Sequence, residues 1–224
     1  MLMDKPLFWT SFDLVKKTRA ILEKQIRLKT GERKRLKVGH AGTLDPLAGG
    51  LMLLCTGKKT KILHTITGQE KEYITTLELG RTTPSFDLET MFDREYSLLH
   101  LREQDIYATL ERFIGETDQI PPVYSAKNIQ GQRAYHAARK GQTIEMKPNR
   151  VHIHEIEVIR FSLPLLTLRV RCNKGIYLRS LSRDIGEALN CGAHLAGLQR
   201  IRIGDYHLRD AVSIEKFEQF VRNL

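Results

Sequence analysis

The chain of 224 residues contains only three cysteines, Cys55, Cys172 and Cys191, scattered and odd in number. None belongs to a CxxC pair, which argues against a disulfide framework or a zinc knuckle and suits a reducing cytosol. Long apolar runs are missing too. The densest, residues 51–55, falls far short of the ~20 residues that a membrane span needs. The N-terminus, Met1-Leu2-Met3-Asp4-Lys5-Pro6, has no charged region followed by a long apolar segment, so no secretory signal is expected. There is no repeat, low-complexity tract or clear linker. With 41% hydrophobic and 28% charged residues, the composition is that of a soluble, globular, intracellular protein. Its length suits one large domain or two small ones, and can bury a core without a disulfide or metal staple.

Acidic residues are outnumbered, 26 Asp+Glu against 36 Lys+Arg, for a formal net charge of +10. The excess is uneven. Residues 1–60 hold 13 basic and 5 acidic groups, residues 70–120 hold 5 and 12, and residues 121–209 hold 15 and 6. A basic chain with an acidic middle suggests one face that attracts a polyanion and another that is merely solvated. The densest run is Lys29-Thr30-Gly31-Glu32-Arg33-Lys34-Arg35-Leu36-Lys37, five positive charges in nine residues. As a loop it suits phosphate contacts, which give salt-dependent, sequence-blind affinity; the alternative is a solvated surface loop.

Helical spacing of Val15, Thr18, Leu22 and Ile26 predicts a helix over residues 12–28, with Ser11 as its cap. A Gly- and Pro-rich segment, 39–50, leads into an apolar strand at 51–55. A short helix is expected over 58–66, and a strand carrying Tyr73, Thr75, Leu77 and Leu79 that ends at Gly80. Residues 81–102 show no period and read as an exposed acidic connection. Ile106, Leu110, Phe113 and Ile114 mark an amphipathic helix, and Gln132–Lys140 a short one closed by Gly141. The apolar phase of residues 151–160 slips between Ile153 and Ile156, as a bulge would make it do. Leu166, Leu168, Val170 and Cys172 alternate cleanly. Leu178, Leu181, Ile185 and Leu189 mark a helix, and Ile214, Phe217 and Val221 a last one. Strands and helices mix without regular alternation, which favours an α+β protein.

The most unusual stretch is 37–50. Its four glycines and Pro46 fix a tight loop between the basic run and a buried strand, and such glycines let backbone amides approach a ligand. Pro46 biases Asp45 toward extended geometry, so the carboxylate is held by the chain. A positioned Asp beside a basic, amide-rich loop can act as nucleophile or general base; a turn-forming Asp-Pro is the structural alternative. Two lookalikes are set aside. Gly57-Lys58-Lys59-Thr60 resembles a Walker ending but has no Gly five positions earlier, and a second Lys stands in the Ser/Thr position. His152 and His154 share one strand face but have no third ligand at useful spacing.

The segment Gly39-His40-x-Gly42-Thr43-Leu44-Asp45-Pro46-x-Ala48-x-Gly50, followed by Thr60-Lys61, resembles the signature of the TruB-type tRNA pseudouridine synthases. Lys5-Pro6 with Thr10-Ser11 resembles the family's opening motif, Lys71-Glu72-Tyr73 its second, and Leu79-Gly80 with Asp87 the segment that follows. Pro121-Pro122-x-Tyr124-Ser125-Ala126-Lys127, with no residue between Ala126 and Lys127 where the family pattern has one, is followed by Gly131, Ala134-Tyr135, Ala138-Arg139 and Gly141 in the same series. Lys174-Gly175-x-Tyr177-x-Arg179-Ser180-Leu181 with Asp184-Ile185-Gly186 is similar to the late motif, and Cys191-Gly192-Ala193-His194-Leu195 with Leu198-x-Arg200 closes it. The motifs run in the family's order over nearly the whole chain. Phe8 stands where the family usually has Gly. The chain also ends too soon after Leu208 to hold the PUA-type domain that members commonly append.

The resemblance implies a single catalytic domain over 1–224 without a C-terminal PUA-type domain. Its fold would be the α+β pseudouridine synthase fold, a mixed, mostly antiparallel sheet flanked by helices and RNA-binding loops. The implied reaction converts uridine 55 in the T-loop of tRNA to pseudouridine after flipping the base. Asp45 would be the essential carboxylate and Arg179 its basic partner, keeping it charged in a dry pocket. Tyr73 would stack on the flipped uracil and is a candidate acceptor of its C5 proton. Tyr177 and Leu198 would wall the pocket, Gly42 would bring its backbone to the substrate, and His40 would fill the space vacated in the RNA loop. Phosphates would be met by Lys16, Lys17, Arg33, Lys34, Arg35, Lys127, Arg133 and Arg139, and recognition would follow the folded shape of the RNA. No metal, cofactor or guide RNA is implied, and a cytoplasmic monomer is expected. Two rivals stand beside this reading. One is a catalytically inactive RNA-binding, tRNA-folding module of the same fold, against which Asp45, Tyr73 and Arg179 together weigh. The other is a metal-dependent hydrolase using His152 and His154, which chelators would silence.

Overall fold

The computed structural model describes residues 1–124, 128–129, 132–133 and 146–223. In chain order come strand β1 (Leu2–Lys5), helix α1 (Ser11–Thr30), β2 (Val38–His40) and β3 (Ala48–Thr56). A 3₁₀ segment, Gly57–Ile62, precedes helix α2 (Leu63–Gly68) and β4 (Lys71–Leu79). The short strands β5 (Arg81–Thr82) and β6 (Arg94–Glu95) follow, then α3 (Glu103–Glu111) and β7 (Gly115–Gln119). The last part holds β8 (Asn128–Ile129), β9 (Gln132–Arg133), β10 (Asn149–Ser162), β11 (Leu165–Cys172) and α4 (Leu178–Ala188). β12 (Ala193–Ile203), β13 (Tyr206–His207) and α5 (Ile214–Arg222) end the chain. This is an α+β architecture.

Two compact units are formed, Met1–Tyr73 with Gln199–Leu224, and Ile74–Leu198; β4 and β12 each give residues to both. In the first unit the strand order is β1-β3-β12-β4, with β2 on β3 and β13 on β12. β1 and β2 both run antiparallel to β3, with Met3 opposite Met52 and His40 opposite Leu54. Ala41, Leu51, Leu53, Ile66 and Ile203 form an apolar cluster there. α1 starts at a capping box, in which the Thr10 hydroxyl accepts from the Asp13 amide and the Asp13 carboxylate accepts from the Thr10 amide. The cap is therefore Thr10 and not Ser11, whose side chain turns inward. Leu14, Val15, Thr18 and Ile21 are the buried face. Beyond Ile21 no residue of α1 is buried, and the helix stops at Gly31 in the left-handed region (φ 74°).

In the second unit the order is β12-β4-β11-β10-β7. β10 pairs antiparallel with β11 and β7, and its register slips between Ile153 and Glu155, where the sequence phase slips, and again between Val158 and Arg160. Leu166, Leu168, Val170 and Cys172 are fully buried, as their alternation requires. Residues 81–102 differ from expectation. They contain the β5–β6 pair, and Thr83, Ser85 and Asp87 are buried among their own hydrogen bonds. The amphipathic helix expected through Ile114 ends at Glu111. β12 is a strand that periodicity does not announce, because Gly197 and Gln199 interrupt the apolar phase of Leu195, Ile201 and Ile203. Gln132–Arg133 is a strand paired with Asn128–Ile129, not the start of a helix, and the rest of that expected helix lies outside the described residues.

α4 packs closely on the turn that follows it. A methyl group at Gly186 would overlap the Ala193 amide nitrogen and the Gly192 carbonyl carbon, neither of which can move without shifting β12. Gly186→Ala is expected to cost about 1–3 kcal/mol, the usual penalty of overpacking. Thermal unfolding checks this. The melting midpoint should fall by several degrees, and an unshifted midpoint would show the turn to be compliant.

Candidate active site

The Asp45 loop, residues 41–47, joins β2 to β3, and its shape is fixed by polar contacts from distant parts of the first unit. The Ser11 hydroxyl donates to the Leu44 carbonyl (2.9 Å) and accepts from the Leu44 amide (2.8 Å), pinning the residue before Asp45 to the start of α1. The Phe8 amide donates to the Pro46 carbonyl (2.7 Å), and the Ala48 amide to that of Asp45 (3.0 Å). Phe8 has a positive φ (66°), a backbone conformation that residues with a side chain rarely adopt. Asp45 is half-buried between these ties.

Under the loop lies Arg200, 1% exposed. Its Nε donates to the Leu51 carbonyl (2.8 Å) and its Nη2 to the Gly42 carbonyl (3.2 Å). The guanidinium also donates to the Tyr73 side chain, and burial holds it below the ordinary arginine value. Tyr73 itself is buried on β4. Gly42 and Gly50 both have positive φ, and a methyl at Gly50 would collide with the Arg200 backbone. His40 is half-buried, and its burial pushes the imidazole below its usual value, so it is neutral at pH 7.

Lys5 is also 1% exposed, with its ammonium donating to the carbonyls of Pro6 (2.9 Å) and Trp9 (2.6 Å). Burial pushes it down to about 8, against the attraction of Asp45. A positive charge is therefore built into the floor near the Asp45 carboxylate. In the sequence, Lys5 and Arg200 stand out only as motif letters. Charged residues inside apolar strands, Lys5 in β1 and Arg200 in β12, are the signal that marks them.

In the second unit Arg179 sits in the first turn of α4, 3% exposed. Its Nη1 donates to the Tyr124 carbonyl (2.8 Å) and lies 3.6 Å from Asp87 Oδ2, in an ion pair shielded from water. Asp87 is placed by its own loop: its carboxylate accepts from the Glu89 amide, and its carbonyl from Thr83 and Ser85. Tyr177 precedes α4, and its amide donates to the Gln119 side chain (2.8 Å). Leu198, on β12, is half-buried.

Of the expected phosphate contacts, Lys16 is exposed on α1, and Lys17 pairs with Glu218 of α5 (3.3 Å), an exposed bridge that costs little to exchange. Arg33, Lys34 and Arg35 are exposed. Arg133 is on β9, and Lys127 and Arg139 lie outside the described residues. The His152 and His154 rings lie 4.5 Å apart with their planes tilted by 55°, and His154 Nε2 is against Asn173 Oδ1 (2.8 Å). Among the described residues no group of three or more His, Cys, Asp or Glu could hold a metal ion, and no helix is long and apolar enough to cross a membrane.

The fold is shared with chains of solved structures. The chain superposes on one from a Cbf5–Nop10–Gar1 complex with a TM-score of 0.70 at 23% identity, over 98% of this chain and 54% of that one. One from an H/ACA RNP bound to a substrate RNA containing 2′-deoxyuridine gives 0.69 at 22% identity, over 98% of this chain and 52% of that one. Sequence narrows the assignment. Residues 27–178 match the N-terminal domain of the TruB family pseudouridylate synthases, and 179–223 the tRNA pseudouridylate synthase B C-terminal domain. The tRNA pseudouridine synthase B of Phocaeicola vulgatus is 50% identical over 97% of this chain and 91% of its own length. That of Flavobacterium johnsoniae is 48% identical over 98% and 94%. The chain belongs to the TruB family of pseudouridylate synthases.

The buried lysine makes a checkable statement about pH. Between about 8 and the ordinary value of 10.5 the unfolded chain keeps a proton that folded Lys5 has lost. Stability must therefore rise with pH across that window, relative to a chain without the lysine. The unfolding free energy of wild type minus that of Lys5→Met should climb from pH 8 to pH 10 in urea titrations. A flat difference would show that Lys5 titrates normally.

Proposed function

We propose that this protein isomerises uridine 55 to pseudouridine in the T-loop of tRNA, in the cytoplasm and without guide RNA. The observation that carries the reading is the Asp45 carboxylate on a loop tied down by Ser11 and Arg200, in a chain of the TruB family. The reaction breaks the N1–C1′ bond, turns the uracil and joins C5 to C1′. N1 gains a proton and C5 loses one, so the atoms balance without a co-reactant. The target base must leave its stack to be reached.

Asp45 supplies the essential carboxylate. Tyr73, steadied by Arg200, stacks on the flipped uracil and takes the C5 proton. Arg179 is the third catalytic group, and its pairing with Asp87 and the Tyr124 carbonyl fixes its guanidinium before substrate arrives. Tyr177 and Leu198 wall the base, Gly42 presents its backbone, and neutral His40 takes the place the base leaves. Lys16, Lys17, Arg33, Lys34, Arg35, Lys127, Arg133 and Arg139 meet phosphates.

With a T-stem-loop labelled with tritium at uridine C5, Asp45→Asn should bind the RNA as the parent does and release no tritium. Substantial release would remove Asp45 from the chemistry, while release by the parent already excludes an inactive folding module. Tyr73→Phe keeps the ring and loses the hydroxyl. Its turnover should drop by about 10²–10⁴, the usual worth of a positioned acid or base, and unaltered turnover would assign the C5 proton to another group.

A further inference from the structure

The C-terminal half of α1 is a long helix end with no core to serve. Buried residues stop at Ile21, yet the helix continues to Thr30 and is finished by a left-handed Gly31 cap whose amide donates to the Arg27 carbonyl (2.9 Å). The chain then doubles back. The Leu36 amide donates to the Glu23 carboxylate (2.7 Å), which ties the basic loop to the helix across 13 residues. Between helix and loop lies an open groove of about 640 Å³, lined by Glu23, Lys24, Arg27, Arg33, Lys34 and Arg35. Five of these six are cations, and the one carboxylate is engaged by a backbone amide. Among the described residues none of the five cations forms an ion pair. Two opposed rows of unneutralised cations repel one another, a cost that a polyanion between them relieves while releasing the counterions they gather.

We propose that this groove is a second RNA-backbone site, which seats a phosphodiester strand of the substrate outside its target loop. It rests on the function proposed above for the identity of the RNA, and adds Lys24 and Arg27 to the residues that meet phosphates. The helix sets the distance. Ser11 touches the residue before Asp45, and at about 1.5 Å per residue the groove's helix wall runs from roughly 18 Å farther along the axis at Glu23 to roughly 24 Å at Arg27. That span is too long for the phosphates flanking a nucleotide held at Asp45. It suits backbone several nucleotides away. Guanidinium groups on both walls can each take two phosphate oxygens, which a solvated loop alone would not position.

Lys24→Gln/Arg27→Gln tests the helix wall and Arg33→Gln/Arg35→Gln the loop wall, with Kd for a full-length tRNA transcript measured across salt concentrations. Each phosphate that goes unneutralised lowers the slope of log K against log salt by about 0.7–0.9. The helix-wall variant should therefore show a slope smaller by about one to two units and bind on the order of tenfold more weakly near 0.1 M salt. The weakening should be smaller for a stem-loop cut to about three base pairs. Because both walls grip the same strand, the combined variant should be weakened by less than the product of the two separate factors. Unchanged affinity and slope for full-length tRNA would overturn the proposal. So would an equal weakening on the shortened stem-loop, or factors that simply multiply. None of these results depends on whether Asp45→Asn turns over, so the groove and the chemistry fail separately.

Discussion

A guanidinium removed from water needs acceptors on several sides, and the buried Arg200 finds them in three separate pieces of chain. It reaches Gly42 in the Asp45 loop, Leu51 in the strand that follows the loop, and Tyr73 on β4. Leaving any of these acceptors empty would strand a charge in the interior, which is far costlier than deleting a buried methyl group. The loop conformation is thus set from below by one side chain that demands its carbonyls. The close approach of chain to chain explains Gly50, whose missing side chain makes room for the Arg200 backbone. Ser11 works from the other side with a single hydroxyl that both donates and accepts. Between them these hydrogen bonds fix the polar side of the carboxylate-bearing loop, while Ala41 and Leu44 bury its apolar side.

The second unit solves a similar problem with a buried pair. Arg179 and Asp87 are both almost wholly out of water, and such a pair gains little net stability over apolar residues of the same size. Its value is orientation. Asp87 is itself fastened by hydrogen bonds within residues 83–89, so the segment that looks like a featureless acidic connector is the mount for an arginine.

Much of this is legible in the sequence, and the exceptions share a cause. Periodicity locates α1, β11, α4 and α5 because each buries one face of a regular element, and even the β10 bulge is written in its apolar phase. Asp45 is legible as a carboxylate held in a Gly- and Pro-rich loop, whereas Tyr73 and Arg179 are legible as site residues only as letters of family motifs. Their placement on a tied loop, on a buried strand face and beside Asp87 is visible only in the folded chain. Arg200 and Lys5 escape because a buried cation looks like a surface residue when only polarity is read. Ser11 looks like the cap because it stands at the helix start, yet Thr10 has the acidic partner three residues on. Residues 81–102 show no period because their order comes from side-chain hydrogen bonds and a two-residue pairing, which leave no repeat in the sequence.

The pin between Ser11 and Leu44 has a further meaning when α1 is regarded as a ruler. One end is fixed to the residue before Asp45, and the other carries Lys24 and Arg27. The number of residues between them sets both a length and an angle, since each residue turns the helix by about 100°. Inserting one residue after Ile21 would change the length by only about 1.5 Å but would swing the cations away from the loop that faces them. Adding about seven residues, close to two full turns, would restore the angle and move the cations about 10 Å outward. In this chain, phase tolerates far less drift than length, and homologues with longer or shorter first helices should differ by near-whole turns.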